Sequence, residues 1–475
     1  MSCPNNASEP ARRRSQRHQT GSALEAALAD SQARPAQQPR SFAELGIPAS
    51  MVAVLAEHEI NTPSEIQART LPDALGGRDV LGRAQTGSGK TLAFGLALLT
   101  RLRAAEQPRT PRAPRGLILV PTRELAQQVA AALEPLARVG RLRVTTVFGG
   151  APIRRQIENL RRGVDVVVAT PGRLLDLMDR RVACLDAVSI AVIDEADHMA
   201  DLGFLPAVRR ILDATPADRQ CLMFSATLDS GVDRLAQRYL SRPAVHAVAS
   251  AFVPVTSMQH RVFLLDHGDK VDVAAEIAAR PQRTLFFVRT KHGADRLARQ
   301  LVRRGVDAAA IHGNLNQSQR TRALDSFASG RVRVLVATDV AARGLHIDDL
   351  DLVVHFDPPS DHKHYLHRSG RTARAGASGT VISLVEAHQA RDLSRIHAAA
   401  AVQPDQLTVR VGDPALRVVA ASGADRTVGV PDGTQPPPSL LAHPTSTRQK
   451  HRPGKRSHRM SAVPRQAHAK SARSH

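Results

Sequence analysis

Ala84-Gln85-Thr86-Gly87-Ser88-Gly89-Lys90-Thr91 is a glycine-rich turn between an apolar, strand-like segment at residues 79–81 and a helix-like segment at residues 92–99. The backbone N–H groups of such a turn close around an anion, and the N-terminus of the following helix favours negative charge. Lys90 would then reach the outer phosphates of a nucleotide, and Thr91 would hold Mg²⁺. The stretch predicts a nucleoside triphosphate site, with a glycine- and serine-rich surface turn as the alternative.

Short β-rich runs alternate with helical stretches along most of the chain. We predict strands at residues 116–120, 143–148, 164–169, 189–194, 221–225, 284–288, 308–311, 332–337, 352–356 and 380–385. Helices are predicted at residues 124–136, 153–160, 294–303 and 319–328. Continuous apolar strands separated by helices indicate parallel sheets that are covered on both faces, so the predicted fold class is α/β.

Polar residues follow the strands of the first half, at the sheet edge where α/β proteins bind ligands. They are Pro121, Thr122, Arg123 and Glu124; Gly149 and Gly150; Thr170, Pro171, Gly172 and Arg173; Asp194, Glu195, Ala196 and Asp197; and Ser225, Ala226 and Thr227. Within this set, Asp194 is suited to hold Mg²⁺ through water, and Glu195 to orient and deprotonate an attacking water. An acidic helix N-terminus is the alternative interpretation of this string.

Phe42 and Gln67, which both precede the phosphate-binding turn in the sequence, are candidates for recognition of the nucleotide base. The ring of Phe42 could stack on a base, and the amide of Gln67 could pair with an adenine edge through its donor and its acceptor. For either residue alone, core packing or an ordinary surface amide is the simpler interpretation.

The second half lacks another phosphate-binding turn, so we expect one triphosphate per chain. It offers instead polar and basic groups after its strands, among them Thr338, His367, Arg371 and Arg374. Arg371 and Arg374 are three residues apart and would share one face of a helix, from which both could donate to a phosphate. A solvated basic face is the alternative.

The charge of the chain points to a polyanionic partner, most often nucleic acid. Its 475 residues include 65 Lys and Arg against 44 Asp and Glu, for a net charge of +21. Residues 1–40 carry +3, and residues 433–475 carry +9 with no acidic residue. Both ends are low in apolar residues and are predicted to be disordered, although a short helix is possible at residues 23–29. The C-terminal tail could hold phosphates or only improve solubility.

The sequence favours a cytoplasmic protein. Its three cysteines, Cys3, Cys184 and Cys221, include no Cys-x-x-Cys pair, which argues against a disulfide framework and a structural zinc site. No signal-peptide core and no apolar run long enough to span a membrane are present, so no membrane partner is expected.

Together these motifs resemble those of the DEAD-box ATP-dependent RNA helicases, and among them the bacterial RhlE-like branch. Asp194-Glu195-Ala196-Asp197 spells the family name, and the similarity runs from about residue 42 to about residue 391. The resemblance implies an ATP site that includes Phe42, Gln67, Ala84 to Thr91, Gly344 and His346. It implies coupling residues Asp197, Ser225, Thr227 and His367, and arginine fingers Arg371 and Arg374. It implies RNA contacts by Pro121, Thr122, Arg123, Gly149, Gly150, Thr170, Pro171, Gly172, Arg173, His312, Gly313, Gln317, Arg320 and Thr338.

Four positions depart from the family pattern. Glu59, Ser64 and Glu65 replace the usual residues before Gln67, and His346 stands where Asp is usual and where the family contacts the ATP ribose. A neutral imidazole can still hydrogen-bond a hydroxyl but supplies no fixed negative charge.

The resemblance also implies two tandem RecA-like domains that close when ATP and RNA are both bound. We expect a disordered extension at residues 1–40, the domains at 41–245 and 261–405, a linker at 246–260, and a basic tail at 406–475. The implied activity is RNA-stimulated hydrolysis of ATP with Mg²⁺, local unwinding of short RNA duplexes, and remodelling of ribonucleoprotein. Two alternatives share most motifs: an ATP-gated RNA clamp or scaffold, and a DNA translocase of the wider superfamily.

Overall fold

Two seven-stranded parallel sheets, one after the other in the chain, form the framework of this protein. The computed structural model describes residues 21–33, 41–84, 87–105, 107–248, 258–342, 350–373 and 379–421. Each sheet and the helices packed on it are called a lobe: the N-terminal lobe ends at residue 248, and the C-terminal lobe begins at residue 258. The prediction of an α/β protein with two tandem parallel sheets is confirmed.

The N-terminal lobe has the sheet order β3-β4-β2-β5-β6-β1-β7. Its strands are β1 Val80–Arg83, β2 Gly116–Leu119, β3 Val144–Val147, β4 Val166–Ala169, β5 Ile190–Ile193, β6 Gln220–Ser225 and β7 Ala244–Ala247. Its helices are α1 Gly21–Ala33, α2 Ala49–Glu57, α3 Glu65–Leu75, α4 Lys90–Ala104, α5 Arg123–Val139, α6 Ile153–Arg161, α7 Pro171–Asp179, α8 Ala196–Asp201, α9 Leu205–Asp213 and α10 Ser230–Tyr239.

Side chains of the central strands alternate between two hydrophobic cores, one on each face of this sheet. On β5, Val192 joins the core that contains Phe94, whereas Ala191 and Ile193 join the core that contains Met199. The period of two in a strand explains why every residue of β5 is apolar. The sheet is thereby fixed on both faces, and its strand ends can carry polar residues at constant positions.

The C-terminal lobe repeats this arrangement with the sheet order β10-β11-β9-β12-β13-β8-β14. Its strands are β8 Met258–Leu264, β9 Thr284–Val288, β10 Ala308–Ile311, β11 Val334–Thr338, β12 Leu352–His355, β13 Gly379–Val385 and β14 Asp405–Thr408. Its helices are α11 Lys270–Ala278, α12 Lys291–Arg303, α13 Gln317–Ala328, α14 Asp339–Ala342, α15 His362–Ser369, α16 Ala390–Ala399 and α17 Pro414–Ala421, with short 3-10 turns at His267–Asp269 and Ala387–Gln389.

The prediction of disorder for residues 1–40 is wrong for residues 21–33, which form α1 against the edge strand β7. Leu24 and Leu28 are buried, so this short helix contributes to the core despite its polar surroundings in the sequence. Ser31 accepts hydrogen bonds from the backbone N–H of Ala247 and, through its carbonyl, from Arg69. The remaining residues of this segment, 1–20 and 34–40, lie outside the described ranges.

The predicted linker and tail boundaries also change. β7 continues to Ala247 and β8 begins at Met258, so each sheet takes residues from the predicted linker. β14 and α17 belong to the C-terminal lobe although the tail was predicted from residue 406: β14 pairs with β8, and Leu416 and Val419 are buried in the core. The rest of the tail, from residue 422, lies outside the described ranges. Among the described helices, none is long and apolar enough to cross a membrane.

Candidate active site

The phosphate-binding turn connects the end of β1 to the start of α4. Gly87 and Gly89 adopt left-handed backbone conformations, with φ of +90° and +92°, that other residues rarely tolerate. The buried Lys90 opens α4 and donates from Nζ to the carbonyl of Ala84 at 2.7 Å. Lys90, Ser88 and Thr91 thus stand at the N-terminus of α4, where its dipole attracts anions. The predicted Gln85 and Thr86 lie outside the described residues.

Two side chains at the N-terminus of α3 hydrogen-bond to the backbone of the phosphate-binding turn. Ser64 donates from Oγ to the carbonyl of Ser88 at 2.9 Å, and Gln67 donates from Nε2 to the carbonyl of Gly89 at 3.0 Å. A Cβ atom at Gly89 would lie 2.5 Å from this amide nitrogen, so only glycine permits the approach. Since Gln67 Oε1 also accepts from the backbone N–H of Ser64, both ends of the amide are engaged.

The recognition of adenine by Phe42 and Gln67 stays a prediction. Within the lobe, Nε2 and Oε1 of Gln67 each make one of the two hydrogen bonds open to them, both with backbone groups. Phe42 is only 1% exposed and packs in the hydrophobic core. The simpler alternative, core packing, describes Phe42 in this structure. The sequence could not show this, because burial depends on how residues 42–47 pack against the lobe.

The acidic string follows the central strand β5, and its two carboxylates are buried. Glu195 has a left-handed backbone, with φ of 51° and ψ of 52°, immediately before α8. Its backbone N–H donates to Asp194 Oδ1 at 3.0 Å, and its Oε2 lies 3.0 Å from Nδ1 of His198. A left-handed glutamate is uncommon and is held here by its neighbours, which is a feature of functional sites.

The two carboxylates differ in electrostatic environment. Burial, together with the charges of Glu195 and Asp197, raises the pKa of Asp194 against the opposing charge of Lys90. Burial also raises the pKa of Glu195, but the hydrogen bond and charge of His198 and the charges of Lys90 and Arg371 lower it to a greater extent. Glu195 is therefore ionised and can accept a proton, whereas Asp194 gains most from a nearby cation.

The available oxygen donors suit a magnesium ion that keeps most of its own water. The Asp194 carboxylate and the Thr91 hydroxyl are hard oxygen ligands, which Mg²⁺ prefers. In the described part of the chain, no group of three or more His, Cys, Asp or Glu side chains is arranged to hold a metal by itself.

Asp197 joins the acidic string to the end of β6. Its Oδ2 accepts from the backbone N–H of Thr227 at 2.9 Å and from Thr227 Oγ1 at 3.0 Å, and its own N–H donates to Ser225 Oγ at 3.2 Å. Ser225 in turn donates to the carbonyl of Thr227. Three of the four predicted coupling residues, Asp197, Ser225 and Thr227, therefore form one closed network that links the two strand ends.

Arg371 of the C-terminal lobe acts on the acidic centre of the N-terminal lobe, because its charge lowers the pKa of Glu195. Arg371 is buried and lies just after α15, the helix that carries His367. Arg368, which was not among the predicted site residues, anchors that helix by two hydrogen bonds to Asp339, at 2.5 and 2.7 Å. The predicted Arg374, Gly344 and His346 lie outside the described residues.

Predicted RNA-contact residues of the N-terminal lobe lie together, because β3, β4 and β2 are neighbours in the sheet. The Arg123 guanidinium lies against Gly149 and Gly150, where a Cβ atom at Gly150 would be 2.2 Å from Nη1. Arg173 donates to the carbonyl of Ala151 at 3.3 Å. Among the other predicted RNA-contact residues of this lobe, Thr122 caps the N-terminus of α5. Pro121, Thr170 and Pro171 are buried, and Gly172 is exposed.

The C-terminal lobe places His312 and Gly313 after β10, beside Thr338 at the end of β11. His312 is buried and contacts Asp295 through Nε2 at 2.8 Å, while its Nδ1 accepts from the backbone N–H of Asn314 at 3.3 Å. The ring therefore carries its proton on Nε2 and donates it to Asp295. Gly313 is exposed, and Thr338 is buried.

The RNA contacts of Gln317 and Arg320 stay predictions; in this structure both side chains bind Glu124 of the other lobe. Arg320 donates from Nε to Glu124 Oε1 at 2.6 Å, and Gln317 donates from Nε2 to the same oxygen at 3.3 Å. Arg320 and Glu124 are each 7% exposed. A guanidinium buried to this extent needs a carboxylate partner, and the sequence could not reveal which one because the partner lies 196 residues away.

The geometry defines a class of protein: an ATPase whose phosphate-binding turn and acidic centre are completed by a second RecA-like lobe. Two family models match the chain, "DEAD/DEAH box helicase" at residues 64–235 and "Helicase conserved C-terminal domain" at residues 269–376. The DEAD-box ATP-dependent RNA helicase CshA of Geobacillus kaustophilus is 37% identical over 359 residues, with 75% of each chain covered. The RNA helicase CrhR of Synechocystis is 40% identical over 350 residues, covering 73% of this chain and 70% of CrhR.

Among solved structures, S. cerevisiae Dbp5 bound to RNA and ADP BeF3 is similar, with a TM-score of 0.70 and 30% identity over 80% of this chain and 98% of that chain. The chain therefore belongs to the DEAD-box ATP-dependent RNA helicases. The predicted family, the RecA-like fold and the class of activity, an RNA-dependent ATPase, are confirmed. The narrower assignment to the RhlE-like branch stays a prediction.

Proposed function

We propose that this chain hydrolyses ATP at the junction of its two lobes and uses the cycle to grip, bend and release RNA, locally separating short duplexes. One contact carries the assignment of roles: Arg320 of the C-terminal lobe donates to Glu124 of the N-terminal lobe at 2.6 Å, so the two lobes meet. In keeping with this, the charges of Lys90 from one lobe and Arg371 from the other both lower the pKa of Glu195. Catalytic groups that converge from two lobes complete the site only when the lobes meet. Hydrolysis then depends on closure, and closure depends on RNA.

In this proposal the phosphate-binding turn holds ATP. The backbone of Gly87 to Gly89 surrounds the β-phosphate, and Lys90 exchanges its contact with the Ala84 carbonyl for the outer phosphates. Thr91 directly and Asp194 through water would hold Mg²⁺, which neutralises charge on the phosphate oxygens when bound. Ser64 and Gln67 keep the turn in place from the side opposite the nucleotide.

Glu195 is the proposed general base. Water attacks the γ-phosphorus, its proton passes to the ionised carboxylate of Glu195, and the bond to the bridging oxygen of ADP breaks. Phosphate and ADP are the products. Arg371, with Arg374 proposed beside it, donates to the γ-phosphate oxygens as charge moves toward the leaving group, a contribution of about 10³–10⁵ in rate in related chemistry.

RNA is proposed to lie across the two clusters at the strand ends, Arg123 with Gly150 and Arg173 on one lobe, and His312 with Gly313 and Thr338 on the other. Such groups contact phosphates and sugars, so binding is largely independent of sequence. Base stacking contributes little, because the chain has no Trp and two Tyr, of which Tyr365 is buried. The Asp197, Ser225 and Thr227 network, with His367, would transmit closure to the acidic centre.

The testing experiment measures steady-state ATP hydrolysis without nucleic acid, with single-stranded RNA and with matched DNA, at one stated salt concentration. We expect strong stimulation by RNA alone, and displacement of a short duplex in a parallel assay. Glu195→Gln should bind ATP and RNA yet hydrolyse about 10²–10⁴ times more slowly. Stimulation without displacement would identify an RNA clamp, equal stimulation by DNA a DNA translocase, and normal turnover by Glu195→Gln would remove that residue as the base. Contacts of Gly344 and His346 with ATP, ribonucleoprotein partners and a cytoplasmic location stay predictions.

A further inference from the structure

Helix α12 carries a row of basic side chains on the face opposite its buried side. Ala294, Leu297, Ala298 and Leu301 pack into the lobe. His292, Arg296, Arg299 and Arg303 are exposed, and their spacing of three and four residues places them on one line along the helix. The row is about 16 Å long at 1.5 Å per residue. We call these four residues the α12 basic row.

The charges of this row are not neutralised within the described part of the chain. Its four side chains make no hydrogen bond or ion pair with other described residues. The acidic side chain of α12 itself, Asp295, binds His312, and Asp272 on the neighbouring α11 binds Arg304. By contrast, the exposed Arg138, Arg180 and Arg210 each pair with a carboxylate. The row therefore presents uncompensated positive charge to solvent.

The position of the row connects it to the proposed RNA path. α12 starts at the carboxyl end of β9, and Lys291 at its first position donates to Asn314 Oδ1 at 3.0 Å, next to Gly313. From there the helix runs antiparallel to the strands, away from the cleft. A strand of RNA that leaves the His312 and Gly313 loop would thus meet His292 first and Arg303 last.

We propose that the α12 basic row is an auxiliary RNA-binding surface that holds the phosphates of RNA extending beyond the cleft between the lobes. This inference rests on the proposed function. Guanidinium groups bind phosphate in two-pronged geometry, and a line of them suits a polyanionic strand. A protein interface of this size would instead have an apolar or aromatic centre; the large apolar side chain exposed on α12, Val302 at 53%, lies beside the row and not at its centre.

The test compares the full chain with the variant Arg296→Gln, Arg299→Gln, Arg303→Gln. The matched control is Arg138→Gln, Arg210→Gln, Arg395→Gln, which removes three exposed arginines that are paired with carboxylates elsewhere. Both are measured with unstructured RNA of about 8 nucleotides, which fills only the cleft, and of about 25 nucleotides. Thermal unfolding checks that both variants fold.

We expect the α12 variant to lose affinity for the longer RNA by roughly 10- to 100-fold near 0.1 M salt, with a salt dependence reduced by about 2 in the slope of log K against log salt. Its affinity for the shorter RNA should match that of the control. Equal behaviour of the two variants on the longer RNA, with wild-type ATPase still stimulated by RNA, would overturn the auxiliary surface alone. A wild-type chain that RNA does not stimulate would instead overturn the proposed function.

Discussion

Nδ1 of His198 lies 3.0 Å from Oε2 of Glu195, one helical turn earlier, and both side chains are buried. We infer that His198 is a positioning residue: it holds the carboxylate that is proposed to receive the proton of the attacking water. The pair also explains how Glu195 stays ionised in a buried site, because the contact with His198 is the largest of the influences that lower its pKa.

Variants of His198 can distinguish a role in orienting the Glu195 carboxylate from a role in folding alone. We expect His198→Ala to lower kcat of RNA-stimulated ATP hydrolysis about tenfold with little change in the KM for ATP, because the carboxylate loses its fixed orientation. His198→Gln, whose amide can still donate, should recover part of the loss. Steady-state kinetics of the two variants provide the measurement. A loss of thermal stability with kcat intact would assign His198 a structural role only.

Arg371 should matter for turnover and little for nucleotide binding. Arg371→Ala is expected to bind ATP with near-normal affinity but to lose most of its RNA-stimulated rate, on the order of 10³-fold. Arg371→Lys should restore only a small part, since an ammonium group cannot make the two-pronged contact of a guanidinium. Equilibrium ATP binding measured beside RNA-stimulated hydrolysis decides the case, and unaltered stimulation in Arg371→Ala would refute the finger role.

The bridge between Glu124 and Arg320 should set how readily the lobes meet. Glu124→Gln leaves a buried guanidinium without its counter-charge, so we expect the RNA concentration for half-maximal ATPase to rise about tenfold or more. Unstimulated hydrolysis is not expected to change to the same extent, because it does not require the lobes to be held together. The exchanged pair Glu124→Arg with Arg320→Glu should recover part of the loss. Failure of both variants to alter the RNA dependence would show that the bridge is not coupled to closure.

Acidic pH should lower the free energy of unfolding of the C-terminal lobe, because three of its histidines are buried. Burial lowers the pKa of His260 on β8 to about 4 and that of His397 on α16 to about 4, and it lowers the pKa of His355 on β12 further. Since these values lie below that of an unfolded chain, near 6.5, the unfolded state binds more protons between pH 6.5 and 4. The stability of the lobe therefore falls as the pH falls through this window.

Between pH 7 and 5 the free energy of unfolding of this lobe should fall by about 2–3 kcal/mol, after allowance for partial solvation of the rings. Urea unfolding followed by tyrosine fluorescence can report it, because Tyr365 lies in the cluster and contacts His260 at 2.6 Å. His397→Phe should reduce the pH dependence. A free energy of unfolding that stays constant across this range would contradict the prediction.

Much of the framework could be predicted because its strands are continuous apolar runs. β9 and β10 have the predicted bounds, whereas the edge strands β7 and β14 and the inner strand β8 were not predicted. β7 follows Pro243 and is only four residues long, and all four residues of β14 are exposed, so neither has the apolar pattern of a central strand. α1 was predicted only as a possible short helix within a disordered segment, because its apolar residues are buried through packing against β7, which lies far along the sequence.

The acidic centre and Lys90 could be predicted because the residue types at the ends of strands limit the chemistry. The hydrogen-bond partners that lie in the other lobe could not be predicted. Nothing local to Arg320 distinguishes a guanidinium that binds phosphate from one that binds Glu124, and only their meeting in three dimensions decides. The same holds for Gln67, since nothing in the sequence shows that its amide donates to the carbonyl of Gly89.

One carboxylate oxygen of Glu124 in the N-terminal lobe accepts hydrogen bonds from Gln317 and Arg320 of the C-terminal lobe. This contact bears on what would happen if the two lobes were expressed as separate polypeptides. The N-terminal lobe ends at residue 248 and the C-terminal lobe begins at residue 258, so one chain keeps each lobe at an effective concentration on the order of millimolar near the other. At that concentration a contact of modest affinity suffices to bring the lobes together. Expressed as two separate polypeptides at micromolar concentration, the same lobes would meet rarely, and RNA would have to act as the tether that the chain now provides.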